Sequence, residues 1–212
     1  MPFDFLSPKL VEALERRGIT EPTDPQKDAI PRIKRKENVL VVAPTGIGKT
    51  ESAMLPIFDE LAGSSVPGIK CLYITPLRAL NRDMLKRMES LGSELGVTVG
   101  VRHGDTSSAE RQRQSRSPPQ ILITTPETLQ VLFTGKNLRA HLKNIQWVVI
   151  DEIHELAGNE RGAQLSIALE RLTLLAGEYQ RIGLSATVGN LKEVIEFLAG
   201  QGRTVQLCKH DS

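Results

Sequence analysis

Short apolar runs alternating with longer helical patterns constrain this 212-residue chain more than any other feature. The runs are Val39–Ala43, Lys70–Thr75, Val97–His103, Ile121–Thr124, Trp147–Ile150, Arg181–Leu184 and Thr204–Leu207. Most are rich in Val and Ile and uninterrupted by charge, as strands covered on both faces should be. Between them the spacing predicts helices over Lys49–Ala62, Leu77–Leu95, Arg161–Ala176 and Asn190–Leu198. The third places Leu165, Leu169, Leu172 and Leu175 on one face. This alternation predicts an α/β fold, a parallel sheet of about seven strands with helices on both faces. Ligands of such sheets bind at the carboxyl ends of the strands. Residues 1–36 read as a helical segment punctuated by Pro8, Pro22, Pro25 and Pro31, and residues 37–212 as the sheet domain. The polar, Pro-terminated stretch Arg111–Pro119 reads as a surface segment.

Composition narrows the class further. With 40% hydrophobic and 25% charged residues the chain can bury a core, and a net charge of +2 argues against a polybasic tail. Any nucleic-acid contact must come from a local patch. Cys71 and Cys208 lie far apart, with no metal or disulfide spacing, which fits a reducing, cytoplasmic setting. The first residues lack the pattern of a signal peptide, and no apolar run approaches the ~18 residues of a membrane span. No membrane partner is expected.

The chemistry is carried by two stretches. After the Val39–Ala43 run comes Ala43-Pro-Thr-Gly-Ile-Gly-Lys49-Thr50, then a helix. Such a loop, a P-loop, lets the backbone N–H groups of Thr45, Gly46, Ile47 and Gly48 turn inward around phosphate oxygens at a helix N-terminus. Lys49 would reach the terminal phosphates, and Thr50 would offer its hydroxyl to Mg2+. The usual pattern opens with Gly where this chain has Ala43. The second stretch is Asp151-Glu152-Ile153-His154, straight after Trp147–Ile150. Asp151 would hold the metal through its water shell, and Glu152 would orient and deprotonate an attacking water. Taken alone, an acidic pair is also what a helix N-terminus attracts. His154 is open between a hydrogen-bonding and a catalytic role.

Together with Thr75–Leu80 (TPLRAL), Thr124–Leu129 (TTPETL) and Ser185–Thr187 (SAT), these stretches resemble the first RecA-like motor domain of a superfamily 2 helicase, with the motifs in that family's order. Arg102–Thr106, Pro119–Thr128 and Glu160–Leu165 resemble the Lhr (large helicase-related) group of archaea and bacteria. The resemblance covers nearly the whole chain and implies ATP with Mg2+ as the cofactors. It also implies that Thr23 and Gln26 belong to an adenine-selecting Q motif, with Phe3 and Phe5 candidates to stack on the base. Pro76, Leu77, Arg78, Thr125, Pro126 and Glu127 would meet the phosphates of a single strand, with Gly104 and Asp105 beside them. DNA is favoured over RNA as that strand. His154, Ser185 and Thr187 would couple hydrolysis to domain movement. Each Thr-Pro pair taken singly is equally a turn with a helix cap. Arg111, Arg113 and Arg116 read as a solvated face.

The arginine-finger run of a second RecA-like domain is absent from the 212 residues. The expectation is a piece of a longer protein that hydrolyses ATP slowly until its own second RecA-like domain completes the cleft, since such fingers contribute on the order of 10³–10⁵ in rate. The alternatives are a nucleotide-dependent module that binds nucleic acid or protein without unwinding, or an RNA helicase domain. A metabolite kinase on the same loop would leave the other motifs unexplained.

Overall fold

In a computed structural model, residues 3–64, 66–186 and 189–210 are described, without the side chains of Arg78 and Lys136. Thr187 therefore lies outside the described residues. The strands are β1 (Val39–Val42), β2 (Cys71–Ile74), β3 (Val99–Arg102), β4 (Ile121–Thr124), β5 (Trp147–Ile150), β6 (Gln180–Ser185) and β7 (Gln206–Lys209). They form one 7-stranded sheet in the order β3-β4-β2-β5-β6-β1-β7, and every pairing is parallel. Strands β1, β2, β4, β5 and β6 are buried throughout, while the edge strands β3 and β7 are partly open.

Because successive strand residues point to opposite faces, each run feeds two cores. Val39, Val41, Cys71, Tyr73, Ile121, Ile123, Trp147, Val149, Ile182 and Leu184 enter one core. Against it pack α1 (Pro8–Glu15), α2 (Asp24–Lys34), α3 (Lys49–Leu61) and α4 (Arg82–Leu95). Leu40, Leu72, Ile74, Leu122, Val148 and Ile150 enter the other. That face is covered by α6 (Pro126–Leu132), α7 (Lys136–Leu142), α8 (Glu160–Ala176) and α9 (Leu191–Ala199). Leu10, Leu14, Ile30 and Ile33 share the first core with the strands, so the first two helices and the sheet are packed as one body.

Several sequence expectations shift. The helix expected from Leu77 begins only at Arg82, because Leu77–Ala79 forms a 3-10 turn and Asn81 then caps α4 by accepting the Met84 N–H at 2.7 Å. Arg111–Pro119 is not plain surface coil, since α5 (Ser108–Arg116) runs through it. That helix has no apolar stripe. Gln114 is its buried residue, donating to the Val101 carbonyl at 2.9 Å, and Ser107 caps its start. The last strand lies two residues further along than Thr204–Leu207, at Gln206–Lys209 in register with β1.

Candidate functional site

Three strand ends build a cleft of about 350 Å³ lined by Thr45, Gly46, Gly48, Lys49, Thr50, Asp151 and Glu152, with Asn81 and Arg87 on its far wall. The loop's sharp turn depends on Gly46 and Gly48, with φ of 83° and 84°. At Gly48 a Cβ would also stand 2.4 Å from the Gln26 amide nitrogen, so any other residue there would be strained and would displace that side chain. Gln26 holds this approach, donating to the Gly48 carbonyl at 3.3 Å and accepting the Thr23 N–H at 3.1 Å. Thr23 and Gln26 thus cap α2 and brace the loop together. Gln26 is 4% exposed.

Lys49 opens α3 and curls back over its own loop, donating to the carbonyls of Ala43 and Pro44 at 2.7 and 2.8 Å. Burial lowers its pKa from the ordinary lysine value, opposed by the charges of Glu152 and Asp151. Asp151 continues the sheet for one residue, its N–H donating to the Ile74 carbonyl at 2.8 Å. Burial raises its pKa, while hydrogen bonds from the Tyr73 hydroxyl (2.6 Å) and the Glu152 N–H (2.9 Å) favour the ionised form. Glu152 then takes the left-handed conformation, φ 49° and ψ 41°, which few non-glycine residues adopt. Burial, and next the Asp151 charge, raise the Glu152 pKa.

Beyond the acidic pair, His154 Nε2 stands 3.6 Å from a Glu152 carboxylate oxygen, and its Nδ1 is 2.9 Å from the Ser185 hydroxyl. The acidic stretch after β5 and the end of β6 are therefore joined through one imidazole. On the other half of the sheet, β3, β4 and β2 are neighbours. Their carboxyl ends bring Gly104 and Asp105, then Thr125, Pro126 and Glu127, then Pro76 and Leu77 into one row. Leu77 is 50% exposed, whereas Thr125 is buried and spends its hydroxyl on capping α6 at Thr128. Glu127 is paired with Arg161 at 2.7 Å.

A family model described as DEAD/DEAH box helicase matches residues 23–194. The chain belongs to that family. Among curated relatives of this DEAD/DEAH box domain is the ATP-dependent helicase Lhr-Core of Methanothermobacter thermautotrophicus, 44% identical over 87% of this chain and 23% of that protein. The Lhr helicase/uracil glycosylase of Escherichia coli is 38% identical over 87% of this chain and 13% of its own length. The chain thus spans about a quarter or less of these relatives. A structure of Mycobacterium smegmatis Lhr bound to ssDNA and AMP-PNP superimposes with TM-score 0.89 at 37% identity, covering 99% of this chain and 28% of that one. A structure of the helicase MrfA bound to DNA and AMPPNP gives TM-score 0.85 at 28% identity, over 99% of this chain and 30% of that one. The fold is RecA-like, and the domain is of the Lhr type.

The structure brings most of the sequence candidates of this DEAD/DEAH box domain to one edge, but not all into the cleft. Gln26 is behind the loop, and Phe3 is 2% exposed in the core, edge-on to Phe5 at 6.4 Å between ring centres. Arg113 pairs with Glu110, and Arg111 donates to the carbonyls of His103 and Gly104, bracing that turn. Sequence reasoning missed Tyr73, Asn81 and Arg87. Tyr73 sits within a plain apolar run, and only its hydroxyl, an odd group for a core strand, could have marked it.

No helix among the described residues is long and apolar enough to cross a membrane. Cys71 and Cys208 are free, buried thiols; burial raises both, that of Cys208 to about 12.

Proposed function

We propose that this chain is the ATP-binding part of a motor that hydrolyses ATP to move along or unwind nucleic acid. The observation that carries the reading is the convergence of Lys49, Thr50, Asp151 and Glu152 on one cleft. Loop N–H groups from Thr45 to Gly48 and the Lys49 ammonium bind the phosphates, with Lys49 leaving its own carbonyls to do so. Thr23 and Gln26 fix the loop from behind, and the second amide hydrogen and lone pair of Gln26 remain for the adenine edge. Thr50 and Asp151 would hold Mg2+.

The donor set fits that ion. Among the described residues no cluster of three or more His, Cys, Asp or Glu could cage a metal, and Mg2+ takes one or two carboxylates and fills its shell with water and phosphate. When bound, it neutralises charge on the phosphate oxygens. Glu152 accepts the proton of the attacking water, and its raised pKa makes it a better base than an exposed carboxylate. His154 and Ser185, with Thr187, carry the change at Glu152 toward the rest of the motor.

The row formed by Pro76, Leu77, Arg78, Gly104, Asp105, Thr125, Pro126 and Glu127 lies against a single strand, contacting phosphates without reading bases. DNA is favoured over RNA because the similar Lhr and MrfA structures are described as bound to DNA. A second RecA-like domain of the longer protein completes the cleft, residues 37–212 being the first and 1–36 its Q-motif segment. The free buried thiols support a cytoplasmic setting.

The test is equilibrium binding of a fluorescent ATP analogue. Lys49→Ala should weaken it roughly 10-fold to 100-fold, the scale of a charged hydrogen-bonding group. Unchanged affinity in Lys49→Ala sinks the phosphate-loop assignment. Loading on DNA and RNA strands of one sequence then decides the nucleic acid.

A further inference from the structure

Tyr73 occupies the middle of the sheet, 0% exposed, on a strand that carries neither the phosphate loop nor the acidic pair. The β2–β5 register sets it opposite Val149, so Asp151, two residues on, shares its face and stands diagonal to it. Its hydroxyl donates to Asp151 Oδ2 at 2.6 Å. The phenol thus holds one of the two protein groups assigned above to the metal.

The direction of this bond follows from counting protons. A phenol has one, and an ionised carboxylate can only accept, so that proton is given to Asp151. Asp151 is thereby fixed on both sides, with the Glu152 N–H on Oδ1 and Tyr73 on Oδ2. Phenylalanine would fill the same volume among Cys71, Ile123 and Val149, so packing alone does not call for the oxygen.

We infer that Tyr73 is a positioning residue for the metal side of the cleft, which orients the Asp151 carboxylate before a cation arrives. It acts through Asp151 and does not itself touch the ion. The inference rests on the reading of Asp151 as a metal-side residue, and deepens it.

The test is Tyr73→Phe in this chain, with a fluorescent ATP analogue titrated once in EDTA and once against increasing MgCl2. The affinity in EDTA should stay within about twofold of wild type. The Mg2+ concentration for half-maximal enhancement should rise roughly 10-fold or more, as for other lost partners of metal ligands. Equal Mg2+ dependence in both proteins overturns the inference while leaving the nucleotide site intact. Failure of the wild-type protein to bind the analogue under either condition overturns the nucleotide reading itself, and the inference with it. A second measurement needs no substitution. The chain has 2 tyrosines, Tyr73 and Tyr179, and fluorotyrosine labelling gives each a fluorine resonance. Adding Mg2+ to the nucleotide-loaded protein should move the Tyr73 signal and leave Tyr179 in place. A stationary Tyr73 signal also overturns the inference.

Discussion

The two ends of the sheet both concentrate charge and use it in opposite ways. At the amino-terminal edge Arg181 is 1% exposed, yet it donates to Glu170 at 2.9 Å, to Thr173 at 3.3 Å and to the Leu198 carbonyl at 3.4 Å, and lies against the Tyr179 ring. Arg203 closes the group by bonding both Glu170 and Glu178. Among these donors Arg181 Nε is the nitrogen that lacks a protein partner. At the carboxyl-terminal edge Lys49 is 8% exposed but bonds two carbonyls of its own loop, and Glu152 has an imidazole at 3.6 Å. Closed networks stabilise; half-open ones keep capacity for a ligand at a cost in stability. Raised carboxylate pKa values at the second edge, against a lowered one at Glu170, are the same contrast in protonation.

The contrast breaks most visibly at Glu152. Glu152→Gln in the two-domain motor should cut hydrolysis by about 10²–10⁴ with nucleotide affinity kept, since the amide cannot accept the proton. The wild-type rate should fall as pH drops through the raised Glu152 pKa, so its acid limb should lie above the ordinary ~4.3. Steady-state rates against pH check both, and normal turnover in Glu152→Gln would move the base elsewhere.

A smaller effect, of the other kind, is expected at the closed edge. Arg181→Met should cost about 2–3 kcal/mol of stability, less than a fully buried pair because Glu170 is partly exposed, and leave nucleotide affinity unchanged. Burial pushes Glu170 up, but its bonds to Arg181 and Arg203 hold it below the usual glutamate value. The stability it brings is present above ~4.3 and lost as pH falls through the lower folded value. Wild type should therefore lose more stability than Arg181→Met on acidification below about pH 5, by denaturant melts at each pH. Equal losses would detach the pKa shift from the arginine.

Smallest should be Arg161→Gln. It removes the exposed pair with Glu127 and should cost less than about 1 kcal/mol by thermal melting. A larger loss would show that the nucleic-acid row is as tightly knit as the amino-terminal edge.

The sequence by itself determined the strand runs that feed two cores, the phosphate loop with its two left-handed glycines, and the acidic pair at a strand end. These are encoded locally, in residue-by-residue burial and in backbone conformations open to few residue types. Helix α5 was hidden because a helix polar on every side has no period to read, and its caps and Gln114 hold it instead. The delayed start of α4 and the shifted β7 depended on a cap and on pairing with β1. Only the tertiary structure decided the strand order, which sorts the loop, the acidic pair and Ser185 to one half of the edge and the Thr-Pro turns to the other. It also set the Tyr73 hydroxyl against Asp151, 78 residues away by sequence number. Crossover connections bring such groups together, and no local pattern records which strands they will place side by side.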